Sequence, residues 1–257
     1  MSSPRFRTAD VRAALPDGFS AAVDAFERYL RHERSAAAHT VRAYVADVVG
    51  LLDHLTRMRA QTLDALDVPV LRSWLARSRA TGAAPRTLAR RGAAARVFTA
   101  WACRTGRSPT DPGLDLASPR LPVSLPHVLD VTQANALMAV VHDAGPVGLR
   151  DTLLLELLYA TGARVSEVCG LDLDDLDRER RVVRVIGKGN RERTIPYGVP
   201  AERVLDGYLA DGRPALATHR SGPALLLGLR GGRLDPRTAR RVVHRRLAQV
   251  PGAPDLG

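Results

Sequence analysis

The chain has little lysine and little cysteine, and it has no long apolar run. Of its 38 lysine and arginine residues only one, Lys188, is a lysine. The two cysteines, Cys103 and Cys169, are too few and too far apart for a disulfide framework or a zinc site. The longest apolar stretch, 153–160, contains Glu156 and is much shorter than the roughly 20 residues of a membrane span. The amino-terminal residues also lack the apolar core of a signal peptide. We therefore expect a globular protein of the cytoplasm without a membrane segment or a metal.

Positive charge is what the chain has in excess. Its formal net charge is +11, and the imbalance is larger in residues 1–112, with 18 arginines against 10 acids, than in residues 113–257, with 20 basic residues against 17 acids. Phosphate neutralisation releases counterions and so favours such an excess, which makes nucleic acid the leading partner. A soluble protein of high isoelectric point with no nucleic-acid partner is the alternative.

Residues 108–127 are rich in proline and predict a linker, because neither a helix nor a central strand tolerates that density. The linker separates a first domain, residues 1–107, from a second, residues 128–257. We predict a mainly α fold, in which a helical amino-terminal domain precedes an α-rich domain with a small antiparallel β-sheet.

Apolar residues recur at helical spacing throughout the first domain. The pattern predicts four helices, at residues 20–31, at 40–58 with Thr40 as a cap, around 71–75, and at 85–105.

The second domain mixes helical patterns with one β-rich segment. Helices are predicted at residues 132–142 with Thr132 as a cap, at 149–159 as a buried helix, at 200–209 and at 236–250. Residues 181–186 and 191–197 are β-rich and flank a turn at 187–190, which predicts a hairpin.

Two predicted helices carry arginines on the side opposite their apolar residues. Arginine forks bind phosphate in a bidentate manner, so these faces are candidate DNA contacts, although a solvated charged face is the alternative. The arginines concerned are Arg86, Arg90 and Arg91 in the fourth helix of the first domain and Arg237, Arg240, Arg241 and Arg245 in the last helix of the chain.

Lys188 lies in the predicted hairpin turn, and its isolation among so many arginines suggests chemistry that arginine cannot perform. A guanidinium stays protonated at any working pH, whereas an ammonium can give up its proton, so Lys188 is a candidate general acid. The alternative is that one lysine has simply survived a drift toward arginine.

Arg164 follows Gly162, a residue that allows a sharp turn, and is expected to begin a short helix above Val165, Val168 and Leu171. An arginine held in this way suits an oxyanion. It would equally suit a structural ion pair with a nearby acid, the candidates being Glu167, Asp172, Asp174 and Asp175.

Residues 160–176 and 185–196 together closely resemble the tyrosine recombinase, or phage integrase, family, and its XerC-like group in particular. Residues 35–44, which include Arg42, resemble the entry to the family's core-binding helix, and residues 85–101 resemble a later DNA-facing helix. Residues 125–129 and 231–236 resemble two further family landmarks.

The resemblance implies a SAM-like core-binding domain and a catalytic domain that close around DNA. It implies that a tyrosine attacks a backbone phosphate to give a 3′-phosphotyrosyl link and a free 5′-hydroxyl, a transesterification that needs neither ATP nor metal. Arg164 would hold the nonbridging oxygens, and Lys188 would protonate the leaving 5′-oxygen. Arg42 joins the candidate DNA contacts, and a second recombinase subunit is an expected partner.

The family pattern also calls for a His-x-x-Arg helix and a tyrosine nucleophile, for which the 257 residues hold no convincing match. The matches at 39–42 and 54–57 lie in the first domain and look like chance. The five tyrosines are all expected to be explained by core packing or strand propensity, namely Tyr29, Tyr44, Tyr159, Tyr197 and Tyr208. We therefore expect an incomplete catalytic domain that binds DNA without cleaving it. A DNA-binding regulator on the same scaffold and a basic helical protein that contacts only other proteins are the alternatives.

Overall fold

The computed structural model describes residues 8–117, 128–139, 145–187 and 191–254. The chain forms two compact units, Met1–Ser124 and Leu125–Gly257. Lys188 lies outside the described residues.

The first unit is built from helices. Its α-helices are α1 (Thr8–Ala13), α2 (Asp17–Arg28), α3 (Ala38–Arg57), α4 (Val68–Ala80) and α5 (Pro85–Arg104). A π-helical turn, Tyr29–Glu33, continues α2, and a 3-10 turn, Leu63–Ala65, precedes α4.

The helix starts follow local chemistry. The Asp67 carboxylate accepts a hydrogen bond of 2.8 Å from the backbone N–H of Val70 and so caps α4, and Pro85 opens α5 with a backbone already suited to a first turn. Thr40 is not the cap of α3, as the sequence predicts, because that helix starts two residues earlier and Ala37 occupies the N-cap position without a side-chain bond.

Aromatic rings from α2 and α5 fill the core of the first unit. The ring centroid of Phe26 lies 5.2 Å from that of Phe98 and 5.4 Å from that of Trp101, with the two phenylalanines edge to face. Leucines and valines of α3 complete this core.

Part of the predicted linker packs onto the first unit. Leu116 belongs to the buried core, and its carbonyl accepts a hydrogen bond of 3.3 Å from Nη1 of Arg96. A side chain at Gly113 would meet α5, since a Cβ there would lie 2.9 Å from the Cα of Arg96. Residues 108–117 are therefore structured against α5, whereas the rest of the predicted linker, 118–127, lies outside the described residues.

The second unit surrounds a small sheet with helices. In chain order its elements are α6 (Val131–Ala139), α7 (Pro146–Thr161), α8 (Val165–Gly170), β1 (Leu176–Asp177), β2 (Val182–Ile186), β3 (Glu192–Pro196), α9 (Val199–Gly207), α10 (Arg213–Leu216) and α11 (Pro236–Leu247). A π-helical turn, Tyr208–Gly212, joins α9 to α10. The Asp130 carboxylate, rather than the predicted Thr132, caps α6 by accepting a 2.8 Å hydrogen bond from the backbone of Gln133.

The three strands are antiparallel in the order β1-β2-β3. Val185 pairs with Arg193 and Arg184 pairs with Thr194, so Arg193 lies on the same face as the buried Val183 and Val185, while Arg184 lies on the other face. The mainly helical fold with a small antiparallel sheet confirms the predicted fold class.

Arginine supplies the cation of the ion pairs formed between described residues. The deepest is the pair of neighbours Arg150 and Asp151 on α7, both buried, in which the guanidinium also donates to the carbonyl of Leu227. Within the described part of the chain, no helix is long and apolar enough to cross a membrane.

Candidate functional site

The junction between α7 and α8 places Arg164 at the surface. Helix α7 ends at Gly162, whose φ of 59° is the left-handed conformation that glycine adopts without strain. Arg164 then occupies the N-cap position of α8, and Val168 and Leu171 are buried beneath it. Its side chain is 67% exposed, so the guanidinium is fixed at its base and open to solvent.

A buried carboxylate, that of Glu167, holds Arg164 in place. Oε2 accepts a 2.8 Å hydrogen bond from the backbone N–H of Arg164, and Oε1 accepts one of 2.8 Å from its Nη1. Of the acids considered from the sequence, Glu167 is the partner, whereas Asp172 pairs with Arg233 and Asp175 pairs with Arg184. Among the contacts of the described residues only Nη1 of the guanidinium is engaged, which leaves Nε and Nη2 of Arg164 for an anion.

A second arginine completes the coordination of Glu167. Arg193 on β3 donates from Nη1 to Oε1 at 3.0 Å and from Nη2 to Oε2 at 2.6 Å. These bonds from Arg193, with smaller contributions from Arg164, outweigh burial and lower the pKa of Glu167 to about 2. The carboxylate is only 4% exposed and is saturated by four hydrogen bonds, so it stays ionised across the physiological range.

The base of the hairpin turn lies against this pair. The N–H of Gly187 donates to the carbonyl of Arg191 at 2.8 Å, which joins the two described residues at the base of the predicted turn. A Cβ on Gly187 would lie 2.9 Å from Nη1 of Arg193 and 3.3 Å from Oε1 of Glu167. A side chain at this position would therefore displace the Arg193 guanidinium from its place in the ion pair.

The predicted arginines of α11 are on its surface. Arg237, Arg240 and Arg241 are exposed, and Val242 and Leu247 bury the opposite side of the helix. An open cleft of about 710 Å³ lies beside the helix. Its arginines are Arg150, Arg230, Arg233, Arg241 and Arg245.

The arginines predicted on the first unit fall into two groups. Arg42 and Arg86 are exposed and form no ion pair within the described residues. Arg90 instead donates to the buried carboxylate of Asp47 and, at 3.2 Å, to the carbonyl of Ala43.

Asp47 also lies near a second arginine. Nε of Arg91 is 3.7 Å from Asp47, and its guanidinium carbon is 6.0 Å from the ring centroid of Trp74. Burial raises the pKa of Asp47 to about 6, against the opposing effect of the two arginines. Arg90 and Arg91 are thus tied to the first unit more closely than the helical pattern predicts.

The tyrosines mostly lie where the sequence places them. Tyr208 is buried and accepts a hydrogen bond of 3.2 Å from the N–H of Leu227, and Tyr197 donates to Glu202 at 2.8 Å. Tyr29 and Tyr44 pack against the core of the first unit. Tyr159 is different, because it is 62% exposed on α7, so the expectation that packing explains all five tyrosines is wrong at this position.

The described residues offer no group of three or more histidine, cysteine or acidic side chains that could hold a metal ion. Cys169 is buried, and burial raises the pKa of its thiol to about 11, which makes it a poor nucleophile.

Both units match domains of a known protein family. Residues 127–252 match the phage integrase family, and residues 23–106 match the phage integrase N-terminal SAM-like domain. Tyrosine recombinase XerC of Mycobacterium leprae (strain TN) is 53% identical over 241 residues, which cover 92% of this chain and 81% of the relative. The chain belongs to the tyrosine recombinase family. XerC of Mycobacterium tuberculosis (strain ATCC 25177 / H37Ra) is 51% identical over 92% of this chain and 80% of its own.

Solved structures show the same fold. A λ integrase (75–356) dimer bound to a COC′ core site has a TM-score of 0.65 at 15% identity and covers 91% of this chain and 80% of its own. XerH site-specific recombinase bound to difH substrate has a TM-score of 0.64 at 17% identity and covers 88% of this chain and 68% of its own. Tyrosine recombinases break and rejoin DNA.

In this tyrosine recombinase, the sequence indicated Arg164 as a site residue but did not indicate Arg193. Glu167 had a visible signal, because a glutamate three residues after an N-cap is the pattern of a capping box. Arg193 had no such signal in the sequence, since it lies 26 positions after Glu167 and meets it only in the folded hairpin.

Proposed function

We propose that the protein is a site-specific DNA recombinase of the XerC type and that its strand transfer uses Arg164 and Lys188. Family membership supports the general activity. The assignment of Arg164 rests on its exposed guanidinium, which the buried carboxylate of Glu167 holds through Nη1. This arrangement fixes the guanidinium and presents its other N–H donors to an anion.

In the proposed reaction the phenolate oxygen of a tyrosine forms a bond to phosphorus as the bond from phosphorus to the 5′-oxygen breaks. Arg164 stabilises the charge that develops on the nonbridging oxygens, and Lys188 gives its proton to the departing 5′-oxygen. The phosphodiester energy is kept in the 3′-phosphotyrosyl bond, which the freed 5′-hydroxyl of another strand attacks to complete the exchange.

We further propose that a polypeptide of these 257 residues binds duplex DNA without cleaving it, because its described tyrosines are poor candidates for the nucleophile. Four lie in or against the two cores, and Tyr159, although exposed, lies on α7 and not in a His-x-x-Arg context. A nicked suicide substrate tests this point, and covalent adducts formed by the 257-residue chain would contradict it.

The proposed DNA contacts are the exposed arginines of the two units. They are Arg42 and Arg86, with Arg90 and Arg91 beside them, and Arg237, Arg240 and Arg241 on α11. The +11 net charge supports the contacts of both units, and the arginine-lined cleft beside α11 supports those of the second unit.

Salt dependence of DNA binding tests the contacts. Replacing Arg237, Arg240 or Arg241 by glutamine should each weaken binding to a labelled duplex of mixed sequence and reduce the slope of log K against log salt by about 0.9. Arg180→Gln is the matched control, because Arg180 is 83% exposed but lies in the turn between β1 and β2. Equal losses in the control and in the α11 variants would refute the assignment.

We propose a second recombinase subunit as a partner. Among the structural neighbours, λ integrase is seen as a dimer on a core site and as a tetramer on a Holliday junction. Because DNA is the proposed substrate, we place the protein in the cytoplasm.

A regulator that binds DNA without a catalytic role is the second candidate, and it would bind DNA equally well whether or not Arg164 is replaced.

A further inference from the structure

Arg193 is the one side chain that joins the hairpin to Glu167 among the contacts of the described residues. It extends from the inner face of β3, beside Val185, and forms two hydrogen bonds with the carboxylate. Arg164 reaches the same carboxylate from the start of α8. One buried anion therefore connects two segments that are far apart in the chain.

We propose that Arg193 is a positioning residue for strand transfer, which fixes the base of the turn at Gly187 and Arg191 against the Arg164–Glu167 pair. The inference rests on the proposed function for its catalytic meaning. Arg193 itself is 41% exposed, and both its Nη atoms donate to Glu167, so we assign it no contact with the DNA.

The packing at Gly187 supports this role. The N–H of Gly187 donates to the Arg191 carbonyl, and the Gly187 backbone lies so near to Arg193 that a methyl group there would displace its guanidinium. The Arg193 guanidinium therefore packs against the base of the turn as well as pairing with Glu167.

The single lysine gives a direct measurement. Reductive methylation with ¹³C-formaldehyde adds an NMR probe to Lys188 and to the terminal amine, and the Lys188 signal is the one that disappears in Lys188→Arg. The chemical shift, line width and titration midpoint of the Lys188 signal are recorded without DNA in the wild-type chain, Arg193→Gln, Glu167→Gln and the double variant.

Loss of positioning and loss of charge give different results. If Arg193 acts through Glu167, each single variant reduces the line width of the Lys188 signal. Each also moves the titration midpoint in the same direction, toward the roughly 10.4 of a free lysine. The double variant then gives the same line width and midpoint as either single variant. If the two residues act only through their charges, Arg193→Gln raises the midpoint and Glu167→Gln lowers it. Opposite shifts, or a wild-type signal already like that of a free lysine, would overturn the proposal.

Arg184→Gln is the matched control. Arg184 lies on the same hairpin and pairs with Asp175 at 2.8 Å, but it occupies the outer face of β2. Its replacement should leave the Lys188 signal unchanged, and an effect as large as that of Arg193→Gln would contradict the assignment. Circular dichroism confirms that each variant is folded, and if Glu167→Gln unfolds, the comparison of Arg193→Gln with Arg184→Gln still decides.

These outcomes separate the inference from the proposed function. The NMR measurement contains no DNA, so it can fail while the chain still binds duplex. It can also succeed in a chain that shows no DNA binding, in which case only the catalytic meaning of Arg193 is lost.

Discussion

Glu167→Gln should destabilise the second unit in a pH-dependent way. The pKa of Glu167 falls from 4.5 to about 2 on folding, and a difference of roughly 2.5 pKa units corresponds to about 3 kcal/mol as an upper bound. The side chains of Arg164 and Arg193 are 67% and 41% exposed, so solvent screening reduces the expected loss to about 1–2 kcal/mol.

The direction with pH follows from the lowered pKa. The stabilisation is complete above the unfolded value of 4.5 and is lost as pH falls toward the folded value of about 2. The difference in unfolding free energy between wild type and Glu167→Gln should therefore be largest at neutral pH and shrink by more than half near pH 3.

Urea unfolding can isolate the second unit. Both tryptophans, Trp74 and Trp101, lie in the first unit, so tryptophan fluorescence follows that unit alone, while far-ultraviolet circular dichroism follows both. Glu192→Gln is the control, because Glu192 lies on the outer face of β3 and is expected to change stability by less than about 0.5 kcal/mol. A gap between wild type and Glu167→Gln that is equal at neutral pH and near pH 3 would refute the reasoning.

The remaining predictions concern the first unit and are checked by tryptophan fluorescence in urea. Phe98→Ala empties the centre of the aromatic core and should cost about 3–5 kcal/mol, and a loss below about 1 kcal/mol would contradict this packing. Gly113→Ala should cost about 1–3 kcal/mol, because the new methyl group meets the Arg96 backbone and the Thr99 side chain, and Thr99→Ala should recover part of the loss. The pKa of Asp47 is raised from 3.8 to about 6 on folding, so the unfolding free energy of the unit should fall as pH rises through that interval. Asp47→Asn should remove this pH dependence. A variant with the same pH profile as the wild type would contradict the prediction.

The sequence predicts elements that bury a regular apolar stripe and misses those that do not. The helices α3, α5 and α7 have long apolar faces, and their predicted positions differ from the observed ones by only a few residues at either end. By contrast, α1 has no buried residue and β1 has two residues, so neither leaves a periodic signal.

Site residues divide in the same way. Arg164 and Glu167 are three positions apart, so local spacing places them together. Arg193 with Glu167, and Arg90 with Asp47, are tertiary pairs that sequence spacing does not reveal. The exposure of Tyr159 was also invisible, because an almost uniformly apolar helix gives no sign of which side faces solvent.

The use of arginine as the cation in the described ion pairs has a consequence in alkaline solution. A lysine loses its charge near pH 10.4, whereas a guanidinium keeps it beyond roughly pH 12. The Asp151 and Glu167 pairs, like the arginines of α11, therefore keep their charge in alkaline buffers that would neutralise a lysine-rich protein.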